Sequence, residues 1–246
     1  MTSYNLKLLP FQELYALSGG SLSSQTPTIK MGQDEDIVIK KEGDFKVCLI
    51  GKKNLKKFTQ FVHDVYSETF PKVGGSAPSK EDFEYMYRGD CQYASNSFFL
   101  AYKDSHDKIV ASIRVTHRQR QLYQLPIEYL YGIDLDAFIE AYKLSDEDCW
   151  HVGRTAIATN ELKQYGKAFT PDLRRLLAWT AWLTMQQSPA PYYVHESDGY
   201  ILKILRKLFN WTVYKIGDGK MDMGTVSYPV YSPHRSLVKH LMKVNL

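Results

Sequence analysis

Apolar positions recur along this chain in two periods. Phe45-Lys-Val-Cys-Leu-Ile50 reads as a strand, and Leu55, Phe58, Val62, Val65 and Thr69 then follow at helical spacing. Pro71 and Gly74-Gly75 stop that helix, and Ser79 caps a second one running to about Tyr87. Two-residue alternation returns over 97–102 and 108–116, joined by a turn at 104–107, which predicts an antiparallel pair. An insert follows, with Pro126 and a predicted helix over 134–142. A central strand from Cys149 then runs into a loop rich in Gly and Lys. Thr170 as N-cap, Pro171 at the first helical position and Asp172 in the first turn predict a long helix to Met185. That helix buries Leu173, Leu176, Leu177 and Leu183. Tyr192-Tyr-Val-His195 reads as a strand, and Ile201, Leu202, Leu205, Leu208 and Phe209 form one helical face. Two strands over 211–216 and 223–230 and a C-terminal helix close the chain.

The order β-α-α-β-β-insert-β-α-β-α-β-β predicts an α/β (α+β) fold, a mixed and mostly antiparallel sheet with helices on both faces. Residues 1–44 read as an N-terminal extension. Its stretch 6–17 is amphipathic but broken by Pro10, and 19–28 is rich in Gly, Ser, Thr and Pro. The ordered domain is expected over 45–246.

Composition removes several function classes. The 246 residues suffice for a full core, and 44% hydrophobic with 24% charged residues is ordinary for a globular protein. No apolar run approaches the roughly 18 residues of a membrane span, and the N-terminus lacks the pattern of a secretory signal. Cys48, Cys91 and Cys149 are odd in number and form no CxxC, which points to a reducing, cytoplasmic setting without disulfides. A net charge of +4 is too mild for a dedicated nucleic-acid binder. No His-Glu-x-x-His or other ligand spacing occurs, so no metal site is expected; nor is there a nucleophile-elbow sequence.

Candidate chemistry gathers between Cys149 and the helix after it. Backbone N–H groups at a Gly-containing loop before a helix N-terminus suit an anion, and Lys163, Gly166, Lys167 and Ala168 are candidates to hold phosphate. A plain strand-to-helix connection is the other reading. His151, with an ordinary pKa near 6.5, is the candidate general base. Arg154 stands three residues on and faces the opposite side of a regular strand; a bulge at Gly153 would bring both to one cleft. Arg114 has the planar fork that clamps a carboxylate, and for both arginines the competing reading is a buried ion pair, for Arg154 with Asp90 or Glu128. Phe98, Phe99, Trp150, Trp179 and Trp182 are candidates for an apolar tunnel or for core.

Several segments together resemble a known superfamily over about residues 45–230. Lys163-x-x-Gly166-x-Ala168 resembles the Arg/Gln-x-x-Gly-x-Gly/Ala loop with which GNAT-superfamily acyltransferases hold the pantetheine pyrophosphate. Asp90-Cys-Gln-Tyr93-Ala94, Arg114 in Ala-Ser-Ile-Arg-Val, His151-Val-Gly-Arg154-Thr155 and the run from Ile204 to Gly217 resemble acyl-homoserine lactone (autoinducer) synthases and N-acyl amino acid synthases. The chain departs from them at Ala94 and His151, where they keep carboxylates, and at Thr155, where they keep Phe. Arg206 stands near the place of the Tyr that many acetyltransferases use to protonate the leaving thiolate.

The resemblance implies a GNAT-like fold and N-acyl transfer from an acyl-phosphopantetheine thioester, on acyl carrier protein or CoA, to an amino acid or similar small amine. No permanently bound cofactor is implied, and no covalent acyl-enzyme. Asp90, Tyr93 and Arg114 would bind the amine substrate, and the N–H of Ala156 or Ile157, on a central strand splayed from its neighbour, would bind the thioester carbonyl. Lys163, Lys167, Arg174, Arg175, Lys203, Arg206 and Lys207 would steer an acidic acyl carrier protein. A lipid product would bring peripheral membrane contact. Two rivals remain: acylation of a protein or lipid-linked amine, and a binding module that kept the fold without catalysis.

Overall fold

A computed structural model describes residues 29–160, 169–207 and 211–234. Nine strands make one mixed sheet: β1 (Ile37–Glu42), β2 (Phe45–Leu49), β3 (Ser97–Lys103), β4 (Ile109–His117), β5 (Cys149–Ile157), β6 (Tyr192–Asp198), β7 (Tyr214–Lys215), β8 (Lys220–Asp222) and β9 (Thr225–Ser232). Their order is β1-β2-β3-β4-β5-β6-β9-β7, with β8 also on β9. The pair β5–β6 is parallel, as the helix between them requires, and the other pairs are antiparallel. The mixed, mostly antiparallel sheet expected from the element order is what forms.

Among the described residues, six helices flank it: α1 (Leu55–Thr69), α2 (Lys80–Tyr93), α3 (Pro126–Tyr129), α4 (Leu135–Tyr142), α5 (Phe169–Met185) and α6 (Gly199–Lys207). Side chains of β3 divide between two cores. Phe98, Leu100 and Tyr102 join Leu173, Leu176, Leu177 and Leu205 on the α5/α6 face. Phe99 and Ala101 join Phe58, Val62 and Met86 on the α1/α2 face. Among the described residues no helix is long and apolar enough to cross a membrane.

The structure moves some boundaries. β1 pairs with β2 inside the segment assigned to an extension, so the sheet starts ahead of Phe45. Its Lys40-Lys41-Glu42 end is the charged pattern of an edge strand, which blurs the alternation. α2 runs past Tyr87 to Tyr93, opened by a capping box in which Ser79 and Asp82 each bond the other's backbone N–H at 3.1 and 2.7 Å. Asp90 and Tyr93 are thus one helical turn apart on its buried face. The strand expected over 211–216 shrinks to β7, and β8 forms a hairpin with β9 instead. The expected C-terminal helix, Leu208 and Phe209 lie outside the described residues.

The tip of the β8–β9 hairpin seats on the loop after α1. Ser76 N–H donates to Gly224 O at 2.8 Å. Gly224 has φ +90°, and a Cβ there would stand 2.2 Å from Ser76 O; a Cβ on Gly75 would meet Gly224 O at 2.4 Å. Two backbones can approach this closely only without side chains between them. Gly224→Ala is therefore expected to cost about 2 kcal/mol or more in a denaturant titration. A loss below about 0.5 kcal/mol would show that the seat yields freely.

Candidate active site

β4 and β5 lose register where chemistry was expected. Arg114 pairs with Gly153 and Ser112 with Ala156, so Arg154 and Thr155 together oppose one residue, Ile113. This is a β-bulge, and Arg154 takes φ +55°, the left-handed region that non-glycine residues avoid. The bulge turns Arg154 to the same face as Arg114 and His151. A Cβ on Gly153 would lie 3.2 Å from both Arg114 Nη2 and His151 Cε1, so glycine leaves room for these side chains.

Asp90 anchors that face. Its Oδ1 accepts from Arg114 Nη1 at 2.7 Å and from Arg154 Nε at 3.0 Å, while Oδ2 accepts from Thr59 Oγ1 at 2.7 Å. Arg154 Nη2 also donates to Met86 O at 3.0 Å. Asp90 and Arg114 are almost wholly removed from water. Both Asp90 oxygens are thus engaged by protein, in line with the ion-pair reading; Arg114 shares that pair but also lines the cavity described next, and its buried Nε has no partner among the described residues. Glu128, the other partner offered for Arg154, instead receives Arg118 at 3.0 Å. Tyr93 donates to Gln124 O at 2.9 Å, stacks beneath Arg114 at 5.0 Å, and keeps its ring on the cavity described next.

Parallel pairing between β5 and β6 ends at Val152 and His195, although both strands continue. Residues 153–157 of β5 and 195–198 of β6 line a cavity of about 220 Å³ that opens in this gap. Leu173, Leu177, Leu205 and Trp211 wall it on the α5/α6 face, and Tyr66, Tyr85, Tyr93 and Tyr129 on the other. The cavity thus passes through the sheet. Ala156 and Ile157 both line it. Ala158 N–H donates to Val110 O, so by strand alternation Ile157 N–H points away from β4 and into the gap, while Ala156 N–H points toward β4. Of the two expected amides, only Ile157 has the right direction. The aromatic candidates Phe98, Phe99, Trp150, Trp179 and Trp182 are core: Trp150 stacks on Phe98 and donates to Ser188 Oγ, and none of the five lines the cavity.

His151 is held at both ring nitrogens. Nε2 lies 2.8 Å from Glu196 Oε2, and Nδ1 lies 3.4 Å from Arg114 Nη2. A guanidinium can only donate, so Nδ1 accepts and Nε2–H points at Glu196. With its lone pair turned to Arg114, His151 positions Glu196 and is not itself poised as a base toward the cavity. Glu196 Oε1 is buried, has no protein partner and belongs to a residue that lines the cavity. Burial pushes the Glu196 carboxyl up, but His151, then His195 and Arg114, outweigh this and hold it below the ordinary range. No motif pointed to Glu196. The available signal was that His151 takes the place of a carboxylate on β5 while the next strand carries one beside it.

Asp222 enters from β8. Burial, then the Glu196 charge, pushes its carboxyl up to about 6, with Arg154 pulling the other way. Burial pushes His195 down to about 4, Glu196 raising it and His151 lowering it, so this ring stands neutral in the α5/α6 half of the cavity. Arg206 donates to Val213 O at 2.9 Å, a strut between α6 and the strand that follows. Lys163, Gly166, Lys167 and Ala168 lie outside the described residues, as do the side chains of Thr170, Pro171 and Asp172.

Comparison with solved structures bears on the fold. An N-acyl amino acid synthase from uncultured soil microbes, FeeM, superposes with a TM-score of 0.53 at 13% identity, covering 78% of this chain and 92% of that one. TofI, solved with an inhibitor and MTA, gives 0.52 at 13% identity over 86% and 98% of the two chains. A GNAT-family acetyltransferase from Staphylococcus aureus Mu50 gives 0.50 at 10% identity over 77% and 99%. The chain therefore has the fold shared by GNAT acetyltransferases and these synthases. No family model and no curated protein sequence matches it.

Asp90→Ala would leave two buried guanidinium groups without their carboxylate, and a loss of about 3–5 kcal/mol is expected on thermal or chemical unfolding. Asp222 acts in the opposite sense. Its folded-state pKa, about 6, lies above the ordinary 3.8, so the folded protein holds that proton more tightly than the unfolded chain. The associated stability is full below about pH 4 and is lost as pH rises through about 6. Asp222→Asn is thus expected to stabilise the protein by about 1–3 kcal/mol near pH 8 and by nothing near pH 4. Equal effects at both values would refute the assignment.

Proposed function

We propose that this protein is an acyltransferase that moves a fatty acyl group from a phosphopantetheine thioester, on acyl carrier protein or CoA, to the amine of an amino acid or related small amine. One observation carries this reading. The cavity crosses the sheet at the gap beyond Val152 and His195, with an apolar chamber on one side and an unpartnered carboxylate oxygen on the other. An acyl chain suits the first, an amine suits the second, and the thioester would sit in the gap between them. FeeM, similar in fold, is itself an N-acyl amino acid synthase.

In this scheme Ile157 N–H bonds the thioester oxygen and stabilises the oxyanion as the tetrahedral carbon forms. The amine loses one proton to solvent before attack. Once its nitrogen bonds the carbonyl carbon it becomes far more acidic, so even a carboxylate of lowered pKa accepts its second proton; Glu196, oriented by His151, is placed to do so. The C–S bond then breaks and the departing thiolate takes that proton. Arg154 and Arg114 act through Asp90 to shape the bulge and to hold His151. Lys163, Gly166, Lys167 and Ala168 are assigned the donor's phosphate, and the basic residues around that loop an acidic carrier protein, on the sequence pattern. The confined volume of about 220 Å³ favours a small acceptor over a protein or a lipid-linked amine.

The test is purified full-length protein with acyl carrier protein or CoA thioesters and a panel of small amines, with products read by mass spectrometry. Glu196→Gln is expected to lower turnover by about a hundredfold or more while keeping the thermal melt. Wild-type turnover in that variant, or no product from any donor and amine, overturns the scheme.

A further inference from the structure

Charge in the amine-side chamber is not balanced. Arg114 and Arg154 bring two positive charges to this region, and Asp90 and Glu196 bring two negative ones. Asp198, at the gap, accepts N–H bonds from Tyr200 and Ile201 at 2.7 and 2.9 Å, and so is matched by the start of α6. Asp222 is left over. Among the described residues its carboxylate has no ion pair and no hydrogen bond, yet it lines the chamber. The tyrosines Tyr66, Tyr85, Tyr93 and Tyr129 add ring surfaces that attract cations. An amine that reacts must become neutral to attack, so its own nitrogen does not leave a lasting charge to offset Asp222.

We infer that the acceptor carries a second, non-reacting cationic group, as a diamine does, with one amine at Glu196 and the other against Asp222 among the tyrosine rings. This rests on the acyltransferase reading of the same cavity. A zwitterionic amino acid fits less well. Its carboxylate would need a cation. Arg114 Nε has no partner among the described residues but is buried on a guanidinium already set against Asp90 and His151. The other weakly engaged nitrogen is Arg154 Nη1, which faces Met223 Sδ at 4.0 Å. Met223 adjoins Asp222, so an incoming carboxylate there would meet one acid beside it and Glu196 in the same chamber. Repulsion between like charges in a partly desolvated site outweighs one further guanidinium contact.

The experiment is calorimetric titration of the full chain near pH 8 with cadaverine, pentylamine and aminopentanoate, which share a five-carbon chain and differ only at the far end. Cadaverine is expected to bind at least about tenfold more tightly than the other two, and Asp222→Asn to abolish that preference. The variant is expected to fold at this pH, because it removes an unfavourable charge. No cadaverine preference, or a preference retained in Asp222→Asn, overturns the inference. Acyl transfer to the same three amines separates the two claims. Transfer without cadaverine preference leaves an acyltransferase and sinks the dication site. Cadaverine preference with no transfer to any amine leaves the cation site and sinks the acyltransferase.

Discussion

Two guanidinium groups and one carboxylate, Asp90 and Arg114 wholly buried and Arg154 largely so, join α2 to the middle of the sheet. Such a cluster is costly to assemble, and it is tolerable here because Asp90 receives Arg114, Arg154 and Thr59 together. The two arginines still leave one positive charge in excess. That excess is met one step away, where Arg114 Nη2 faces His151 Nδ1 and His151 Nε2 faces Glu196. A single chain of polar contacts thus runs from the buried core to the wall of the cavity. The left-handed backbone at Arg154 belongs to the same account, since the bond to Asp90 holds the side chain that makes the bulge.

The gap between β5 and β6 follows from how those strands are used beyond Val152 and His195. β5 stays bonded to β4 through Ile157, while β6 stays bonded to β9 through Asp198. Each strand keeps one partner, so leaving the other costs only the ladder between them. Glu196, on the chamber side, and His195, on the opposite face, are neighbours in sequence because strand residues alternate. Burial leaves His195 uncharged in the apolar half, where a charge would be costly, while His151 keeps Glu196 ionised in the other half.

Much of this is legible in the sequence. Element order alone gave the mixed sheet, and the helical and two-residue periods placed most elements within a few residues. Gly153 between His151 and Arg154 flagged the bulge. What could not be read was pairing at a distance. Nothing local to Asp90 says that it spends its oxygens on Arg114 and Arg154, and nothing in a strand reading of 192–195 marks Glu196. Asp222 sits in a Gly- and Met-containing turn segment whose place over the cavity depends on the hairpin with β9. The tunnel aromatics failed for a related reason: large rings near a central strand are equally suited to core, and only the three-dimensional position of the gap decides.

The glycine seat between the β8–β9 tip and the loop after α1 has a bearing on motion. Asp222 and Met223, which help wall the amine chamber, hang on a three-residue strand at the rim of the sheet, and such a short hairpin is marginal on its own. Its attachment to the far side of the chamber includes a backbone contact between segments distant in the chain, Ser76 and Gly224. Releasing that contact would unlatch one wall and leave the long strands, both cores and the Asp90 cluster intact. Opening of this kind draws on local rather than global stability. Were that wall to swing away, the chamber's carboxylates would meet solvent while the charges of the Asp90 cluster stayed in place.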